Sequence, residues 1–191
     1  MSQTEVLDRI VQEGKKWQGL KEIPGNLGWE NEEFEKAMEQ VGWYEGLAWC
    51  AFYTTMIYYK VFGKTQYGEH ILENFTGSAT ETFKNCKNSP YFTTDVRNEV
   101  AGAAVIWRKW NNGVPDWRGH AGIIIEAGAG EIGSHFKTVE GNTDKEGVRT
   151  GGMVAFKTRQ NNHGETDGLV VEGFIFPPIP LHKLELRNIE L

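Results

Sequence analysis

Cysteine is scarce in this chain: only Cys50 and Cys86 occur in 191 residues. Two thiols in unlike contexts cannot make a disulfide framework, and a reducing compartment during synthesis is the simpler setting. Basic charge is also short, with 20 Lys and Arg against 26 Asp and Glu and a net charge of −6. A phosphate backbone wants a basic face, so no nucleic-acid partner is expected. No apolar run approaches the ~20 residues of a membrane span. The N-terminus, Met1 to Arg9, lacks the basic start, apolar run and small-residue cleavage site of a signal peptide, so synthesis in the cytoplasm is expected. There is no Cys-x-x-Cys or His-x-x-x-His spacing to suggest zinc. The stretch holding Asn26, Glu30, Asn31, Glu32 and Glu33 has no Asp-x-Asp array to suggest calcium. No metal or other cofactor is implied.

What is present suffices for a core, at 39% hydrophobic and 12% aromatic residues. The length suits a single domain over residues 1–180, with 181–191 as a tail or edge strand. The first half reads as helices. Val6, Leu7, Ile10, Val11 and Trp17 keep a helical spacing, as do Phe34, Met38 and Val41. A strongly apolar segment from near Ala48 to Phe62, closed by Gly63, is the natural buried central helix. Ser78 and Glu81 form a capping box for a short helix reaching about Cys86. After Pro90 short strands are expected at 101–107, 120–126, 136–139, 152–157 and 169–176, separated by Gly, Asn and Pro turns. Helices followed by an antiparallel run of strands is the α+β pattern.

The chemistry centres on Cys50, placed at the front of the apolar helix just after the Gly46 turn. Unpaired N–H groups and the positive end of the helix dipole favour a thiolate there, the nucleophilic form of cysteine. A cysteine nucleophile needs a base within reach and a third group to orient that base. His120, at the start of an apolar strand, is the candidate base, and Glu140, ending the next strand, can accept its other ring N–H. Asn142 can supply a second polar contact to the site.

Trp49-Cys50-Ala51-Phe52, Gly119-His120-Ala121-Gly122-Ile123 and Glu140-Gly141-Asn142-Thr143, in this order, resemble the CHAP family of cysteine- and histidine-dependent amidohydrolases and peptidases. Val100 to Trp107 resembles that family's strand before the histidine, with Ala101 and Ala103 in place of its Pro and Asp, and 171–175 resembles its last strand. The resemblance implies a papain-like α+β fold, with the nucleophile on a central helix packed against a C-terminal antiparallel sheet. It implies hydrolysis of an amide in bacterial peptidoglycan, by an N-acetylmuramoyl-L-alanine amidase or an endopeptidase acting through an acyl-enzyme. By position, Cys50 attacks the carbonyl, His120 moves the proton, Glu140 orients His120, and Asn142 assists orientation or binding. Without a signal peptide, such an enzyme reaches the wall as a phage endolysin released through a holin, or as a toxin delivered by a secretion machine. An immunity protein is a further implied partner.

Other residues read more simply. Trp49 packs beside the nucleophile and, with Trp117, is a candidate substrate contact; Trp17, Trp29 and Trp43 suit the core. Trp107, Trp110 and Trp117 fall in or near an insertion, Arg108 to Arg118, that leads into His120. Rings and basic groups there suit either a substrate groove or a loop anchored by aromatic packing. His70, His135, His163 and His182 lack a comparable setting, although His135 begins the strand that ends in Glu140. Cys86 reads as structural, and Asp144 to Gly147 as a hairpin turn. Two readings from other classes stand beside the wall hydrolase. One is a non-catalytic wall-binding or phage-structural module with an inert Cys50. The other is a cytoplasmic amidase or deamidase that leaves the wall untouched.

Overall fold

The computed structural model describes residues 2–143, 151–163 and 167–178. The expected turn at Asp144 to Gly147, His182 and the tail at 181–191 lie outside the described residues. Among the described residues five helices precede six strands, which is the α+β layout. The helices are α1 (Gln3–Lys16), α2 (Glu32–Gln40), α3 (Cys50–Phe62), α4 (Gly68–Asn74) and α5 (Ala79–Asn88). The strands are β1 (Thr93–Asp95), β2 (Ala104–Asn111), β3 (Val114–Glu126), β4 (His135–Thr143), β5 (Met153–Gln160) and β6 (Gly168–Phe176). They form one antiparallel sheet in the order β1-β6-β2-β3-β4-β5. Among the described residues no helix is long and apolar enough to cross a membrane.

Local chemistry explains the helix starts. Ser2 caps α1 in a reciprocal box with Glu5, Asn31 accepts from Phe34 N–H at the start of α2, and Ser78 accepts from Glu81 N–H at α5. The start of α3 has no side-chain cap, so the N–H groups of its first turn stay available around Cys50. Gly63 ends α3 at φ −56°, in a right-handed conformation, and not as the left-handed cap its residue type suggests.

Strand alternation gives the sheet two apolar faces. Ala104, Ile106, Ala121, Ile123, Val139, Val154 and Ile175 join the helices, with α3 at the centre of that cluster. Val105, Trp107, Ile124, Phe136, Val171, Phe174 and Phe176 form a second core on the opposite face. Phe136 on β4 and Phe174 on β6 bring their ring centroids to 6.0 Å although two strands lie between them. A flat sheet would hold those strands roughly 14 Å apart, so this sheet curls strongly around its second core. The segment after β5 continues the curl, because Val171 N–H donates to Asn162 O and Asn162 Nδ2 donates to Leu169 O.

The stretch read as an insertion at Arg108 to Arg118 is the continuation of a β-hairpin. Asn111 pairs with Val114 across the two-residue turn Asn112-Gly113, whose φ values of 51° and 73° are those of a type I′ turn. His120 accordingly lies well inside β3 and not at its start.

Candidate active site

The site forms where two strands part. The β3–β4 ladder pairs Ile124 with Thr138 and Ile123 with Val139, and the pairing stops there. Beyond that point the first turn of α3 packs against β4. A Cβ on Gly141 would fall 2.6 Å from the Trp49 ring and 2.7 Å from Tyr53 Cβ. Only a residue without a side chain allows the helix to come so close.

The parting also frees backbone donors. Ile124 uses both its N–H and its C=O toward the β2 side, bonding Ala103 O and Gly102 N. Alternation then directs the N–H of Ala121 to the β4 side, where no ladder partner follows. That N–H and the N–H of Ala51, in the first turn of α3, lie close enough to the Cys50 sulfur to favour its thiolate. Cys50 is half-buried.

His120 is 5% exposed and lies on the second-core face, opposite Trp107 in the β2–β3 register. Its ring stacks on Trp107 with centroids 5.6 Å apart and planes 29° apart. His120 Nε2–H donates to Glu140 Oε2 at 2.8 Å. With Nε2 committed to Glu140, Nδ1 is the ring nitrogen left for the neighbouring Cys50 sulfur.

Glu140 is fully buried, and its charge survives because three neighbours donate to it. Besides His120, Thr138 Oγ1–H donates to Oε1 at 2.5 Å, and Arg159 on β5 donates from Nε to Oε1 at 2.8 Å and from Nη2 to Oε2. The Arg159 guanidinium lies 5.2 Å from the Trp107 ring centroid. Trp107 thus lies against both the imidazole and the guanidinium.

Electrostatics follow from this order of charges. Burial pushes the Cys50 thiol up, but the His120 charge, its hydrogen bond and the Ala121 and Ala51 N–H groups outweigh it, holding the thiol below its ordinary value. Burial favours a neutral His120, yet the Cys50 sulfur and then Glu140 raise the imidazole to about 9. Burial alone would lift Glu140; Arg159 and His120 hold it down at about 2. The array runs thiol, imidazole, carboxylate, guanidinium, an order that favours a thiolate beside an imidazolium. It can present a nucleophilic sulfur with a proton donor beside it.

The remaining sequence candidates divide. Asn142 adopts φ 50°, and with its amide oriented to suit its neighbours its oxygen accepts from Trp49 N–H at 3.1 Å while its nitrogen donates to Gly151 O at 3.0 Å. It therefore fastens the start of α3. Trp49 is 0% exposed, donates Nε1–H to Glu22 and packs edge-on to Trp29. The expectation that Trp49 contacts substrate is thus corrected: its ring is part of the core. Trp117 is 78% exposed on β3, with its carbonyl accepting from Thr80 Oγ1 at 3.0 Å. Trp107, grouped in the sequence with Trp117, is 2% exposed.

No protein-family model matches the sequence, and no curated protein matches it either. Among solved structures the chain is similar to wild-type endolysin LysIME-EF1, at 18% identity and a TM-score of 0.50. The alignment covers 95% of this chain and 67% of that one. The likeness is one of fold.

Of the histidines, His70 stacks on Tyr91 and bonds Glu73, and His135 is exposed at the start of β4. Neither joins the array. Cys86 is buried on α5, where burial pushes its thiol well up. Two residues of the array, Arg159 and Thr138, are not among the sequence candidates, and Trp107 is a candidate there only for a groove or an anchored loop. Thr138 had a signal, since it precedes Glu140 by two and so shares its face of a strand.

Proposed function

We propose that this protein is a peptidoglycan hydrolase, a cysteine amidase or endopeptidase that cleaves an amide of the bacterial cell wall through an acyl-enzyme. One arrangement carries the chemistry: a half-buried thiol in the first turn of a helix neighbours an imidazole whose Nε2 donates to a buried carboxylate. The wall as substrate rests on the sequence resemblance and on the fold shared with an endolysin.

In this reading the Cys50 sulfur attacks the amide carbon, and the developing oxyanion is met by the Cys50 backbone N–H, which lies at the open end of α3. The imidazolium of His120 gives its Nδ1 proton to the leaving amine, leaving a thioester on Cys50. A water then attacks the thioester as His120 takes up its proton, and the acid departs with the thiolate restored. Glu140 keeps the imidazole in the tautomer and orientation that serve both steps. Asn142 positions the helix that carries the nucleophile. Trp117, exposed on the strand that bears His120, offers a flat apolar surface to a sugar ring or stem peptide.

The deciding experiment is digestion of purified sacculi from several bacteria with the wild type beside Cys50→Ala, reading released fragments by mass spectrometry. Fragments produced by the wild type alone are expected, and their masses identify the bond. Intact sacculi, together with a readily alkylated Cys50, would redirect the search to another amide substrate. Intact sacculi with an inert Cys50 would favour a binding module.

A further inference from the structure

We propose that Arg159 is a positioning residue of this site, aiming the Glu140 carboxylate at His120 and through it sustaining the Cys50 thiolate. The inference deepens the cysteine-hydrolase reading and rests on it. Three observations carry it.

First, Arg159 holds Glu140 with two nitrogens on two different carboxylate oxygens, Nε on Oε1 and Nη2 on Oε2. A planar fork on a planar carboxylate fixes the plane of the acceptor as well as its place. Oε2, the oxygen that accepts from His120, is one of those two. Second, the guanidinium lies against Trp107, and Trp107 stacks on His120. Arg159 thus braces the base by two routes, through the carboxylate and through the indole. Third, Glu140 has no exposed surface, so no solvent can take over the role of either donor. The charged groups facing this carboxylate are His120 from β3 and Arg159 from β5, with the Thr138 hydroxyl beside them on β4 and Cys50 of α3 beyond the imidazole. Trp107 from β2 adds no charge.

Removing the guanidinium acts on the thiolate through the aim of the carboxylate. A less firmly aimed carboxylate stabilises the imidazolium less, and the imidazolium is what lowers the Cys50 thiol. The midpoint for thiolate formation should therefore move to higher pH.

The test compares the full chain as wild type, Arg159→Met and Arg159→Lys, with melting and circular dichroism as checks of folding. The readout is the pH dependence of Cys50 alkylation by iodoacetamide, followed by mass spectrometry. Arg159→Met should move the midpoint alkaline by about one unit, a roughly tenfold loss of alkylation rate on the acid side. Arg159→Lys keeps the charge without the fork and should shift it less, in the same direction. Sacculus digestion by the Met variant should fall on the order of a hundredfold, as expected when a reacting group is misplaced slightly. An unchanged midpoint in whichever variant folds overturns the proposal and leaves Arg159 as a cross-strand strut. A wild type that leaves sacculi intact refutes the wall reading alone, because the alkylation comparison uses no wall substrate.

Discussion

Replacing Glu140 with Gln removes one negative charge and almost no volume, so the consequences can be worked from the contacts. The carboxylate receives His120 Nε2–H, Arg159 and the Thr138 hydroxyl on its two oxygens. Glutamine keeps one carbonyl oxygen and presents an NH2 group where the second oxygen accepted donors. At least one of the three donors then faces another donor, in a place with no water. The charge can be sized separately. A glutamate held at about 2 in place of its ordinary 4.5 contributes about 3 kcal/mol to folding at neutral pH. Breaking a buried ion pair from one side costs a similar roughly 3–5 kcal/mol. Arg159 keeps some solvent contact, its side chain being 22% exposed, so the lower end applies.

The expected result of urea unfolding at pH 7 is a Glu140→Gln variant less stable by about 3 kcal/mol. Because the folded-state value is depressed, the stabilisation is present above pH 4.5 and fades as pH falls toward 2; the gap between the two proteins should close over that window. In the same preparation, kcat/KM on wall fragments should drop by roughly three to four orders of magnitude, as when a triad loses the anion that sets its histidine. A variant within about 0.5 kcal/mol of the wild type and within tenfold of its activity would refute the reasoning. Glu140 would then be a buried strand residue with no part in orienting His120.

Four further outcomes follow from the same geometry. The raised value of His120 makes its contribution to stability complete below pH 6.5 and lost as pH rises through about 9, so kcat/KM should fall along an alkaline limb near 9 in a stopped assay across pH. Under native conditions iodoacetamide should add to Cys50 alone, with Cys86 reacting only after denaturation, as read by peptide mass mapping. Gly141→Ala should push a methyl into Trp49 and Tyr53, shifting the start of α3; a loss of about 1–3 kcal/mol and a larger fall in activity are expected by unfolding and turnover assays. Trp117→Ala should leave the melting temperature nearly unchanged and raise KM while sparing kcat, since its ring is exposed.

How much of this was legible in the sequence depended on the range over which each signal acts. The helix that carries Cys50 was readable because an apolar run and a preceding glycine turn are local. The antiparallel placement of His120 against the strand of Glu140 was readable because those strands follow one another in the chain. The hairpin at Asn112-Gly113 is equally local, but the aromatic and basic residues around it give it the look of an insertion. Trp49 shows the limit of reasoning from neighbours in sequence. Adjacent residues at a helix start point in different directions, and burial of the indole against Trp29 and Glu22 depends on segments some 20 to 30 residues away.

Arg159 marks the boundary more sharply. Its partner across the β4–β5 ladder is Phe136, not Glu140, and the register between those strands shifts past Glu140. Reaching the carboxylate requires a long side chain laid diagonally over Trp107, which belongs to a third strand. No spacing in the chain encodes that meeting; the curl of the sheet does. Yet the need for such a residue was open to inference from chemistry alone. A glutamate expected to stay ionised inside a strand, with a histidine as its one evident partner, requires a second donor of positive charge. Asking where each buried charge finds its partner would have led from Glu140 to the basic residues of the following strand, where Lys157 and Arg159 alternate with uncharged neighbours. Of those two, only a guanidinium offers two nitrogens in a planar fork, one for each oxygen.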